Sequence, residues 1–67
     1  MLFRSGSESD RVFLEDMIMH HEEAINISTK VLRLSISKEI EDLANKIIDT
    51  QSNEIKLIKD LIKLLPK

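Results

Sequence analysis

The sequence has no cysteine, no tryptophan and no tyrosine, and only one glycine, one proline and two phenylalanines in 67 residues. Without cysteine there is no disulfide scaffold, no zinc finger and no thiol nucleophile. A many-stranded sheet needs turn residues and β-branched or aromatic runs, and these are scarce. No apolar run approaches the ~20 residues of a membrane span, and no signal peptide is visible. Ten basic and twelve acidic residues give a net charge of −2. That balance leaves no electrostatic footprint for nucleic acid.

What is present is aliphatic. Hydrophobic residues make up 42% of the chain, mostly Ile and Leu. A chain shorter than ~70–80 residues rarely builds a sufficient core alone. With no disulfides to help, a metal or a second chain is the expected remedy, so an oligomer is the default.

Residues 1–9 carry no periodicity, and Ser5, Gly6, Ser7 and Ser9 read as a flexible N-terminal segment. A helical hairpin domain is expected over 10–67. From Asp10 to about Leu34 one seam runs Phe13, Met17, His20, Ala24, Ile27, Val31 and Leu34. A second runs beside it: Leu14, Ile18, His21, Ile25, Ser28 and Leu32. Two adjacent seams make an apolar face about half the helix circumference. Ser7 or Ser9 is the expected N-cap. Acidic residues come early and Lys30 and Arg33 late, as the helix dipole favours.

Ser35-Ile36-Ser37 interrupts the pattern, and Ser37 is placed to cap a second helix over about 38–65. Its seams are Ile40, Ala44, Ile47, Gln51, Glu54, Ile58, Leu61, Leu65 and, alongside, Ile48, Ile55 and Ile62. Pro66 is the expected stop. Asp42 and Lys46 are spaced for an i,i+4 pair. So short a connection forces an antiparallel hairpin. Each face is too wide for one neighbour to cover. The expected fold is therefore all-α, with two hairpins pairing as a homodimeric four-helix bundle.

The polar exceptions inside the seams carry the functional information. They are Asp10, His20, His21 and Ser28 on the first helix and Gln51 and Glu54 on the second. A turn centred on Ile36 puts His21 level with Gln51, and Met17 and His20 within a turn of Glu54. Buried polar groups left unpaired cost about 1–3 kcal/mol each, so these must meet partners, water or a metal. Met17 lies i,i+3 from His20 and i,i+4 from His21, so either pair can grip one ion. His20 and His21 diverge by ~100° and are expected to face different neighbours. Thioether with imidazole suits Cu(I); imidazole with the Glu54 carboxylate suits Cu(II) or zinc. Asp16 is placed to orient the His20 ring. Met19 falls on the solvent face. The competing expectation is a His/Gln/Glu layer that hydrogen-bonds internally and fixes the register of a bundle with no metal.

No catalytic arrangement is found. The Glu-x-x-His pairs of a di-iron bundle are missing, since Met17 stands three before His20. No Ser/His/acid set, phosphate loop or His-Glu-x-x-His motif occurs. The chain is expected to be non-enzymatic.

Asp10-x-x-Phe13-x-x-x-Met17-x-x-His20-His21-x-x-Ala24 resembles the first-helix signature of a bacterial domain-of-unknown-function family with a ferritin-like fold. Leu43-Ala44-x-x-Ile47-Ile48-x-x-Gln51-x-x-Glu54-Ile55 resembles its second-helix signature. The resemblance implies a hairpin that pairs into a four-helix bundle, and an exported or envelope location. Some members are Met/His-type copper-binding proteins. Met17, His20 and His21 match their copper-associated positions, with Glu54 as a supplementary ligand and Gln51 in support. Ile58 stands where members usually carry Met, which removes one soft ligand; Leu61 replaces a frequent Trp and Met19 a frequent Pro. The leading expectation is a copper-binding domain for storage, buffering or sensing. The alternative is a structural oligomerisation module.

Overall fold

The structure, a computed structural model, describes residues 3–65, with side chains from residue 8 onward. Helix α1 spans Phe3–Leu34 and helix α2 spans Lys38–Leu64. They pack against each other as an antiparallel hairpin. Pro66, the expected stop, lies outside the described residues, as do Met1 and Leu2.

Helix α1 begins earlier than the seams indicate. Its first turns run through Gly6, Ser7 and Ser9, so neither serine caps it. A single glycine costs a helix only ~1 kcal/mol, and the turns that follow are continuous helix formers. The end of α1 is built from hydrogen bonds that the sequence does announce. The Ser35 N–H still donates to the Val31 carbonyl at 2.8 Å. Ser35 Oγ accepts from the Ser37 N–H at 3.0 Å, which tightens the connection. Ser37 is extended (φ −94°, ψ 124°) and caps α2, its Oγ accepting from the Ile40 N–H at 3.4 Å. Glu39 and Glu41 sit in the first turn of α2 and Lys63 in the last, where the helix dipole favours each charge. The i,i+4 ion pair of α2 is Lys38–Asp42 at 3.1 Å rather than Asp42–Lys46.

The two seams of each helix have different fates. Along α1, the line Leu14, His21, Ser28 and Ser35 turns toward α2, and His21 and Ser28 are buried. Along α2, the inward line includes Ala44, Ile48, Gln51, Ile55, Ile58 and Ile62. Ala44, Ile55 and Ile58 form the buried apolar core. Two of the buried side chains, Ser28 and Ala44, are small.

The other seam is uncovered. Phe13, His20, Ile27 and Leu34 each precede an inward residue of α1 by one position, a rotation of about 100°. Ile47, Glu54 and Leu61 bear the same relation to Ile48, Ile55 and Ile62 of α2, and Ile40 continues their line one heptad earlier. Equal rotation on two facing, antiparallel helices brings both lines to one side of the hairpin. Phe13 is 60% exposed and Leu34 82%. Leu43, Leu57 and Leu64, outside the expected seams, widen the same apolar side of α2 and are exposed. The opposite side is polar, with Glu15, Glu22 and Thr29 on α1 and Asn45, Ser52 and Lys59 on α2, all but Ser52 exposed.

The molecule is a rod. Its Cα extents are 51 × 15 × 14 Å, and its radius of gyration is 15.6 Å. A compact domain of this length would have one of about 11 Å.

Candidate functional site

The site grows from the middle of α1, where His21 is carried inward between Leu14 and Ser28 on one helical line. Its residue is only 8% exposed. The ring is held at both nitrogens. Nδ1 lies 2.7 Å from the Met17 carbonyl one turn earlier. A carbonyl only accepts, so Nδ1 carries a hydrogen and donates it. Nε2 is thereby turned across the hairpin and lies 2.6 Å from Glu54 Oε1. The Glu54 side chain is half exposed, at the rim between the packed interior and the uncovered apolar side. This contact links the two helices at mid-height.

The bond to the Met17 carbonyl draws the His21 ring toward the N-terminal end of α1, so the ring meets Glu54, about a turn beyond Gln51. Gln51 itself is half-buried.

His20 does as its position demands. It diverges from His21, and its side chain is 71% exposed on the uncovered side. Its Nδ1 lies 3.5 Å from Glu23 Oε1, so Glu23, not Asp16, is the carboxylate that accompanies the ring. Asp16, Met19, His20, Glu22, Glu23 and Asn26 line an open surface cleft. Met17 is half-buried on the same line as Ala24 and Val31, and Met19 is exposed as expected.

Of the four residues expected to hold a metal, Met17, His20, His21 and Glu54, the hairpin joins His21 and Glu54. It leaves His20 facing outward. Among the described residues no group of three or more His, Cys, Asp or Glu side chains is gathered to hold an ion. The donor set of one chain is thus one imidazole nitrogen and one carboxylate, with the Met17 thioether a turn from His21. A four-coordinate site needs two more ligands. The ring itself is oriented as metal-binding histidines are, with Nδ1–H donated to a carbonyl and Nε2 directed at the partner. Glu23 is the member of this region that sequence reasoning missed. Its i,i+3 spacing from His20 was the available signal.

A family model described as Domain of unknown function (DUF305) matches residues 2–62. The chain belongs to the DUF305 family. The match takes in both helices up to Ile62, so the His21–Glu54 contact and the uncovered apolar side both lie inside the DUF305 domain. No curated protein and no solved structure gives a match. Among the described residues, no helix of this DUF305 chain is long and apolar enough to cross a membrane.

Proposed function

We propose that this chain is a non-enzymatic self-association module, a hairpin that pairs with a second copy into a four-helix bundle. One observation carries the reading: a largely apolar side, Phe13, Ile27 and Leu34 beside Ile40 and Leu61, that α1 and α2 leave exposed. The chain exposes 5415 Å². A compact monomer of this mass exposes about 4,400 Å². The excess of about 1,000 Å² exceeds the ~800 Å² that each partner gives up in a standard protein interface. The test is the mass in solution of the native chain and of Ile27→Lys/Ile47→Lys. The native chain associates at micromolar concentration; the variant is monomeric and keeps its helical circular dichroism. A native chain that is already monomeric there overturns the reading.

A second reading is transition-metal binding, with copper favoured by the family resemblance and zinc as the alternative. The observation behind it is the preset His21 ring, its Nε2 aimed at the Glu54 carboxylate. In this reading His21 and Glu54 supply nitrogen and oxygen ligands, Met17 a soft one, and His20 a ligand from its exposed position. Because one chain holds too few ligands, the site is complete only in the assembly. Calorimetric titration with Cu(II) and Zn(II), native chain against His21→Ala, tests it. Equal affinity for both proteins removes the reading.

A further inference from the structure

Helix α2 carries more exposed hydrocarbon than α1, and in a different pattern. Its uncovered line is Ile40, Ile47, Glu54 and Leu61. A second line, Leu43, Thr50, Leu57 and Leu64, follows three residues behind, and both repeat every seven. These are the a and d positions of a heptad seam kept along the length of α2. Leu43 is 54% exposed, Leu57 58% and Leu64 80%. The seam lies about 100° round the helix from the line that faces α1, so the hairpin leaves most of it exposed. Helix α1 has no such pair of lines. Three residues after Phe13, His20 and Ile27 come Asp16, Glu23 and Lys30, all charged and exposed.

A heptad seam is closed by another seam of the same kind. Run parallel, two copies of α2 set like on like, and the Glu54 carboxylates face each other. Run antiparallel, each a position meets a d position of the other copy. One alignment, centred at the height of Ser52, brings Ile40 to Leu64, Leu43 to Leu61, Ile47 to Leu57 and Thr50 to Glu54 of the other copy. Every apolar residue of the seam then meets an apolar one, and the two polar positions meet each other. A slip of one heptad in either direction sets Glu54 against a leucine, Thr50 against hydrocarbon, and leaves the seam unpaired at one end. This alignment depends only on spacing within α2. Its flank agrees in charge, since Lys46 comes beside Asp60 of the other copy, and both are exposed. Glu54 gives Oε1 to His21. Among the described residues no partner of its Oε2 is found, and the side chain is half exposed.

We infer that a second copy docks α2 against α2, antiparallel and centred at Ser52, with the Thr50 hydroxyl of each copy donating to the Glu54 carboxylate of the other. The two turns then lie at opposite ends, and Phe13, Ile27 and Leu34 close alongside against α1 of the other copy. The polar layer fixes the register, as a polar residue in a coiled-coil seam does, and costs some stability. The inference rests on the proposed self-association and adds which helix carries it and in what register.

The test uses the native absence of cysteine. Ile36, fully exposed in the turn, is replaced in an Ile36→Cys variant that carries a nitroxide label. Pulsed dipolar spectroscopy then reads the distance between labels in the dimer. Ile36 lies sixteen residues from Ser52, so at ~1.5 Å each the expected separation is about 48 Å. A slip of one heptad changes it by ~10 Å, and parallel α2 helices bring it below ~25 Å, about two helix diameters. Sedimentation of the same sample separates the two claims. No dimer overturns the self-association reading; a dimer with either of the other distances overturns the inference alone. Charge reversal gives an independent check at low salt. Lys46→Glu and Asp60→Lys each weaken association by about threefold or more, and Lys46→Glu/Asp60→Lys recovers the native affinity. Single variants that associate as the native chain does, or a double variant that is not rescued, overturn the inference.

Discussion

Removing Glu54 isolates the bond that ties the two helices together at mid-height. Glu54→Ala leaves His21 Nε2 in a residue that is 8% exposed, with Nδ1 still donated to the Met17 carbonyl. A buried polar atom deprived of its partner costs about 1–3 kcal/mol. Because the Glu54 side chain is half exposed, solvent takes up part of that loss, and about 1–2 kcal/mol is expected. For a domain of this size that is a fall in Tm of roughly 4–16 °C. Glu54→Gln keeps a side-chain amide that donates to Nε2, and is expected to cost less. Glu54 also lies on the side proposed to associate, so the pair itself is best measured in a double-mutant cycle of His21→Ala and Glu54→Ala at fixed protein concentration. The expected coupling is about 1 kcal/mol or more. Replacing both residues by leucine fills the layer with hydrocarbon and is expected to be neutral or stabilising. A coupling within ~0.3 kcal/mol of zero would refute the assignment of this bond as a structural tie.

Ile58→Ala opens a cavity in the small core around Ala44 and Ile55, and urea unfolding is expected to register a loss of about 2–4 kcal/mol. Ser37→Ala removes the cap of α2, bonded at 3.4 Å, for about 0.5–1 kcal/mol; a Tm unchanged within error shows that water replaces the cap without loss. In the metal reading, Cu(II) affinity falls on acidification, because a ligating imidazole must give up its proton, and is lost in His20→Ala/His21→Ala. Met17→Leu, similar in volume, weakens Cu(I) alone and leaves the circular dichroism intact. Binding to the double variant as tight as to the native chain removes both histidines from any metal site.

The hairpin was legible because its seams and its Ser37 cap are local signals. Both seams on each helix exist, and the reason they come in pairs is now specific: Leu14, His21 and Ser28 pack within the hairpin, while Phe13, His20 and Ile27 stand one residue away and are left out. The divergence of His20 from His21 followed from helix geometry alone. The partner of His21 did not. Its ring leans back along α1 to the Met17 carbonyl and so reaches Glu54 rather than Gln51. The start of α1 was hidden for a different reason. Serine favours caps and turns and glycine costs a helix ~1 kcal/mol, so the segment gives no helical signal, yet here the helix runs through it to Phe3.

The central claim is that a hairpin this thin is half of a bundle. Sedimentation equilibrium of the native chain over a range of micromolar concentrations tests it most directly. A mass of twice the 7.8 kDa chain, falling toward the monomer on dilution or in Ile27→Lys/Ile47→Lys, is the predicted result. A folded, helical species that stays at 7.8 kDa across the whole range would contradict it.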